Sequence, residues 1–322
     1  MNWLRHLLAI AAAVSIEAGV GLAQDYPSKP IRMIVVTAPG GLMDVAARIV
    51  AERVGKALGQ TIVIENRPGG GGNLGAEAIA KAAPDGYTIG LIQLGNVAIN
   101  PHLYKDLTFD PLNDLAPVAP VTSSAILVVA GANVANDLQG LIALAKQQPG
   151  KLNYGSGGAG TVPHLAGEMF AAAAGIKIAH VPYRGVGPAV NDLIGGHIQL
   201  TFAGWGAVRA AVEANRAKAL AVAQPQRLKA APQIPTTVEA GLPGFEFLTW
   251  FGIVAPKGTP APVIAKLAKH IHDMQDDSAV QAQLTAGGLE PLKESPEQFS
   301  VRMRREYQSF GAIIKAADLK PQ

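Results

Sequence analysis

The hydrophobic period of the chain changes once between residues 31 and 54. Residues 31–36 (IRMIVV) form a nearly unbroken apolar, β-branched run. Beyond Gly40-Gly41, apolar side chains recur at Val45, Ala46, Ile49, Val50 and Val54, the spacing of one helix face. This predicts a strand, a glycine turn and a helix. The same arrangement returns at 152–168. There a short strand (152–154) enters Gly155-Ser156-Gly157-Gly158-Ala159-Gly160, and a helix starts near Thr161 with Pro163 in its first turn. Between these units, strands are expected at 60–66 and 87–93. A helix at 74–83 lies between them, closed by a Pro84-Asp85-Gly86 turn. The resulting β-α-β-α-β order with short links implies a parallel sheet covered by helices.

Residues 96–113 are polar and rich in Pro and Asn, and read as a loop over the sheet edge with one short helical turn. Strands are then expected at 125–130, 177–183, 197–203, 217–223 and 251–255. Helices are expected at 138–147, 188–194 and 208–215, and amphipathic ones at 261–274, 279–286 and 296–317. Two α/β lobes emerge, about 24–124 and 125–248, with a chain crossing near 121–126.

Composition narrows the function classes. The 322 residues are 49% hydrophobic and 16% charged, enough for one or two domains with real cores, and aromatics are only 5%, so those cores are aliphatic. Net charge is +3, without a dense Lys/Arg run or an aromatic stacking stretch, which argues against nucleic acid. The absence of cysteine excludes disulfides, thiolate catalysis and Cys-ligated zinc or iron–sulfur sites. At the N-terminus Arg5 precedes an apolar run (7–14), and Gly21-Leu22-Ala23 supplies small residues. That is the pattern of a secretory signal, residues 1–23, cut after Ala23. The run is too short to span a bilayer, and Glu17 stops it from extending further.

The candidate chemistry lies at the two glycine turns. The first N–H groups of a helix have no partner within it, and with the helix dipole they make a place for a carboxylate or phosphate. Asp44, near the first helix start, suits either a cap or a bond to a donor on the ligand. Other motifs fit less well. After the 69–72 glycines the chain runs Gly72-Asn73-Leu74, not the Gly-Lys-Ser/Thr of a phosphate loop. Gly70 to Gly75 has dinucleotide spacing, but Arg67-Pro68 intervene and no ribose acid comes after it. Ser156 lacks the glycine two residues earlier that a nucleophile elbow needs, although His164 is a candidate base. His164 and Glu168 share a helix face as a possible metal pair, but a surface interaction is the commoner role for such a pair. Trp205 comes directly after a strand end, where it suits either stacking on a planar ligand or core packing.

Seven segments of the chain together resemble one family. They are PGGLMDVAAR, ENRPGGGGNLGAEAIAKAAPDGYT, AINPHLYKDLTFDPLNDLAPV, NYGSGGAGTVPHLAGEMF, HVPYRGVGPAVNDLIGG, PTTVEAGLPGFE and WFGIVAPKGTPAPVIAKL. The chain from Tyr26 onward is similar to the periplasmic substrate-binding proteins of tripartite tricarboxylate transporters, the Bug receptors. The resemblance implies a two-lobed α/β fold of the type II periplasmic-binding-protein (Venus flytrap) kind, each lobe a mainly parallel sheet flanked by helices. Lobe 1 is then 24–124 plus 249–322, and lobe 2 is 125–248.

The resemblance also implies a non-catalytic, monomeric receptor without a cofactor. It takes a small carboxylate between the lobes and hands it to integral-membrane permease subunits. By motif, the ligand residues are Ala38, Gly41 and Asp44 in the first loop, Asn96 after the third strand, and Ser156, Gly160, Thr161 and His164 in the second loop. Tyr183 and Gly185 come next, and Trp205 joins them from its place at a strand end. The chain departs from the family pattern at Leu42-Met43, at Val186 and at Ala203-Gly204-Trp205, which favours a larger or aromatic carboxylate. Aliphatic, aromatic and amino-acid ligands stay open. So do two other roles: a serine hydrolase using Ser156 and His164, and the ligand-sensing subunit of a signalling system.

Overall fold

The computed structural model describes residues 26–158 and 161–316; the expected signal and Gly160 lie outside the described residues. The first part of the chain forms β1 (Ile31–Val35), α1 (Leu42–Leu58), β2 (Ile62–Asn66), a tight turn Gly70–Gly72, α2 (Asn73–Ala80) and β3 (Thr88–Gln93). A π-helical turn, Gly95–Ile99, then runs into α3 (Asn100–Leu103), and β4 (Leu115–Ala125) comes after it. The middle part forms β5 (Leu127–Gly131), α4 (Leu138–Gln147), β6 (Asn153–Ser156), α5 (Val162–Ala174), β7 (Ala179–Pro182), α6 (Val186–Gly195), β8 (Leu200–Ala203), α7 (Trp205–Glu213) and β9 (Ala217–Val222). The last part forms β10 (Leu248–Pro256), α8 (Ala261–Asp276), α9 (Ser278–Ala286), β11 (Glu290–Pro291) and α10 (Pro296–Ala316).

These strands build a six-stranded sheet in the order β11-β4-β10-β3-β1-β2 and a five-stranded sheet in the order β7-β6-β8-β5-β9. Both sheets are mixed. Each has a parallel trio, β2-β1-β3 and β7-β6-β8, extended by antiparallel strands. The antiparallel additions have a topological cause. β4, β5, β9 and β10 are the strands flanking the passages between sheets, so they run against the strands they join.

β1 carries the periodicity of its setting. In IRMIV only Arg32 is exposed, because helices cover both faces of the sheet and leave no polar alternation. α1 buries Met43, Ala46, Ile49, Val50 and Val54 against it, while Val45 stands 40% exposed. Burying a side chain such as Ile49 contributes about 1.5–3 kcal/mol.

β4 has no counterpart in the strands read from sequence, because Pro117 and Pro120 interrupt it and proline demotes a central strand. The structure accommodates both prolines with irregularities in the β4–β10 ladder, which shifts register between Phe251 and Gly252 and again between Ile253 and Val254. The buried amide of Gln275 on α8 braces this region by donating to the carbonyls of Val121 (2.8 Å) and Leu292 (2.8 Å).

The chain crosses from one sheet to the other at Ile126 and returns through 223–247. The passages are sewn together by backbone bonds: Ile126 N to Phe247 O (3.2 Å), Ala223 N to Ile126 O (2.8 Å) and Phe247 N to Ala223 O (2.8 Å). Among the described residues, no helix is long and apolar enough to cross a membrane.

Candidate ligand cleft

In a parallel trio every strand ends at the same edge. For β1, β2 and β3 that edge carries the start of α1, the Gly70–Gly72 turn and the start of the π-turn. For β6, β7 and β8 it carries the starts of α5, α6 and α7. The crevice beyond such carboxyl edges is where open α/β sheets take ligands. Here the two edges meet. Leu42, the first residue of α1, lies against Gly206 at the start of α7; a Cβ on Gly206 would stand 3.6 Å from Leu42 Cδ2 and 3.0 Å from the Gly287 carbonyl. Further along, Gly71, Gly95, Asn100 and Tyr104 from the first sheet's side and Thr161, Val162 and Pro163 from the second enclose a cavity of about 240 Å³.

Ala38, Gly40 and Gly41 are exposed on the first loop. Gly41 is the residue that opens α1, and no side chain caps it. The early N–H groups of α1 are therefore left to an outside acceptor. Asp44, 3% exposed, turns away from that role. It accepts from Gly40 N (3.1 Å), Arg48 Nε (2.8 Å) and Asn66 Nδ2 (3.1 Å). Burial pushes its pKa up, but these three donors together outweigh that and hold it below the usual carboxylate value. Asp44 is thus the brace that shapes the loop. Asn66 completes the brace by also donating to Thr37 O (3.0 Å). It sits inside the ENRPGGGG segment of the family resemblance, which is the signal that marks it.

Asn96 is fully buried. Its amide donates to Gly71 O (3.1 Å), and its carbonyl accepts from Gln93 N (3.3 Å). Asn100, one turn on, donates to the same Gly71 carbonyl (3.1 Å). The stretch read as a loop with one short helical turn is helical over 95–103, and the Asn96/Asn100 spacing of four residues is the trace of it.

The second loop is built on Ser156, which has no exposed surface. Its Oγ lies 2.6 Å from His180 Nε2 and 2.9 Å from Gly158 O, and accepts from Gly158 N (3.1 Å). Thr161, the residue before α5, donates its hydroxyl to Gly158 O (2.7 Å). The group beside Ser156 is therefore His180, not the expected His164. His164 stacks on His180 with ring centroids 3.8 Å apart and planes at 15°. Burial lowers the pKa of both rings. For His180 the neighbouring His164 adds to burial, Glu168 opposes it, and the value falls to about 4. Both imidazoles are accordingly neutral near pH 7. No carboxylate is hydrogen-bonded to His180 among the described residues, and the bonds of Ser156 to His180 and Gly158 hold the loop. His164 Nε2 and Glu168 stand 3.9 Å apart, and no cluster of three or more metal-ligating side chains occurs among the described residues.

Tyr183 donates to Asp192 (2.7 Å), and burial pushes its phenol up to about 12. Gly185 opens α6, with φ 114° that suits glycine. Trp205 is 3% exposed and packs beside Gly288 at the junction of the two sheets, lining a separate cavity with Arg209, Lys229 and residues of α9. Met43 is turned into the core. Of the residues that favoured an aromatic ligand, Leu42 reaches across to the second sheet's side and Met43 does not.

Comparison with known proteins agrees with this architecture. The model of the tripartite tricarboxylate transporter family receptor matches residues 46–319. Protein BugT of Bordetella pertussis is 34% identical over 325 residues, covering 99% of this chain and 99% of BugT. The structure of R. palustris Rpa4515 with adipate superposes with a TM-score of 0.82 at 31% identity, over 92% of this chain and 100% of that one. MatC (Rpa3494) from Rhodopseudomonas palustris with bound malate gives a TM-score of 0.76 at 30% identity, over 90% and 100%.

Proposed function

The chain belongs to the tripartite tricarboxylate transporter receptor family, and we propose that it is a periplasmic receptor that captures a small organic carboxylate between two lobes and delivers it to the membrane permease of such a transporter. The observation that carries this reading is the meeting of the two carboxyl edges, each lined with helix starts whose N–H groups suit an anion. A ligand that touches both edges favours the closed arrangement, and closure is what a permease would recognise. The relatives seen with adipate and malate support the carboxylate class. The lobes are 24–124 with 249–322, and 125–248, and the mature protein begins after Ala23. The ligand contacts come from Ala38, Gly41, Gly160, Thr161 and Gly185, with Asp44, Asn96, Ser156, His164 and Tyr183 shaping the loops and Trp205 at the junction. The receptor works as a monomer without turnover.

A thermal-shift screen of residues 24–322 against aliphatic, aromatic and amino-acid carboxylates tests the reading. A ligand at a hundred times its Kd adds about 2.7 kcal/mol of stability. No shift with any acid, after unfolding and refolding to strip bound ligand, would remove the carboxylate assignment.

A further inference from the structure

The cavity of about 240 Å³ between the π-turn and the start of α5 is not part of either glycine loop's anion site, although Thr161 borders both. Four side chains with hydrogen-bonding ends line it: Thr161, whose hydroxyl is already given to Gly158 O, and Gln93, Asn100 and Tyr104. The opposite wall, Val162 and Pro163, is apolar, as are Ile99 and Leu103. Neither Lys, Arg nor His lines it among the described residues.

The polarity of this cluster is fixed by its surroundings. The Asn100 amide nitrogen donates to Gly71 O and to Asn73 Oδ1, which settles which way the amide points. Its Oδ1 is left as an acceptor, on a residue only 6% exposed. This oxygen has no hydrogen-bond partner among the described residues. Around the same open glycine faces stand a donor and a group that is both. A Cβ built on Gly71 would meet the Tyr104 hydroxyl at 3.0 Å and Asn100 Oδ1 at 3.5 Å, and one built on Gly95 would meet Gln93 Nε2 at 3.9 Å and Asn100 Oδ1 at 4.0 Å. Neither Tyr104 Oη nor Gln93 Nε2 has a hydrogen-bond partner among the described residues.

We propose that this cavity is the subsite for the far end of the ligand, and that it selects a hydroxyl group there, so that the substrate class is hydroxy-substituted carboxylates. The inference rests on the receptor reading above. A hydroxyl accepts from Gln93 Nε2 while donating to Asn100 Oδ1, and Tyr104 serves as either partner. A methyl end leaves all three polar groups unpaired. A second carboxylate accepts only, so it faces the Asn100 oxygen unfavourably and has no cation to offset its burial. An ammonium end leaves the Gln93 amide hydrogens without an acceptor. Sites that hydrogen-bond a substrate hydroxyl reject the analogue lacking it more strongly than an apolar pocket rejects an extra group.

The test is calorimetric titration of the mature protein with straight-chain acids of three to six carbons, each with a methyl, hydroxyl or carboxylate far end. At the best-fitting length the hydroxyl-ended acid is expected to bind about tenfold more tightly than the other two. Tyr104→Phe and Gln93→Leu should each reduce that preference about fivefold, by weakening the hydroxyl-ended acid without weakening the methyl-ended one. If acids bind but the hydroxyl-ended member leads at no length, or if both variants weaken all three ends equally, the subsite inference is overturned and the receptor reading stands. If no acid of the wider panel binds, both fall.

Discussion

Ser156 and His180 lie on the neighbouring parallel strands β6 and β7, with Oγ and Nε2 2.6 Å apart beneath the second glycine loop. A serine and a histidine at this distance invite a hydrolytic reading, yet the serine is wholly buried and its oxygen also engages both the N–H and the carbonyl of Gly158. Ser156→Ala is expected to weaken carboxylate binding about tenfold by loosening the loop, and to destabilise the fold by about 1–3 kcal/mol. Titration calorimetry reads the first effect. A p-nitrophenyl ester assay reads the alternative: turnover by the parent chain that vanishes in the variant would establish a hydrolase.

The stacked histidines set a pH dependence. His180 in the fold titrates at about 4, below the 6.5 of an unperturbed histidine, and His164 is shifted the same way. Between those values the unfolded chain binds more protons than the folded one, so stability is full above about pH 6.5 and falls as pH drops toward 4. Glu168, the facing carboxylate, moderates the fall. Thermal melts from pH 7.5 to 4.0 should show it, and His180→Gln should flatten the curve in that window. A parent melting temperature constant from pH 6.5 to 4.5 would contradict the assignment.

Asp44 titrates in a lower window. Its folded pKa is depressed, so the stability it contributes is present above the unfolded carboxylate value and is lost as pH falls through the folded one. Asp44→Ala leaves Gly40 N without its acceptor and Asn66 Nδ2 with only the Thr37 carbonyl, and is expected to cost about 1–3 kcal/mol in urea unfolding. Asp44→Asn, which keeps an acceptor oxygen, should recover part of this. A ligand affinity unchanged in Asp44→Ala would show that the loop keeps its shape without the brace.

Gly206 reports on closure. A Cβ there meets the Gly287 carbonyl at 3.0 Å, so Gly206→Val should hold the junction apart. Expected outcomes are a melting temperature close to the parent's, because Gly206 is exposed on a helix's first turn, and carboxylate affinity lowered about tenfold or more. Small-angle scattering should show ligand-induced compaction in the parent and none in the variant.

Sequence patterning located these elements unevenly. Both strand–glycine–helix units were legible because their apolar period changes at the glycines, as at Gly40-Gly41. β4 was hidden by Pro117 and Pro120, whose ladder irregularities depend on pairing with a strand far along the chain. The helical stretch 95–103 was legible only as one short turn, because its polar residues Asn96 and Asn100 face inward toward the Gly71 carbonyl, which no local pattern encodes. In the second loop the pattern pointed to Ser156 and His164, which stand on either side of Gly160. It missed His180, because that ring arrives on the next strand and its nearness is a matter of sheet register. Motif resemblance named candidate residues, whereas which of them are exposed and which are buried in hydrogen bonds is legible only in three dimensions.

The position of β10 has a consequence for the order in which the molecule folds. The five-stranded sheet draws only on residues 127–222, so its strands need nothing from outside that span. The six-stranded sheet does, because β10 lies between β3 and β4, and those two must wait for a strand far along the chain. That sheet stays split, with two unpaired strand edges at the gap, until residues 248–256 pair. Refolding from denaturant should separate into a faster step for the contiguous sheet and a slower one limited by this long-range insertion.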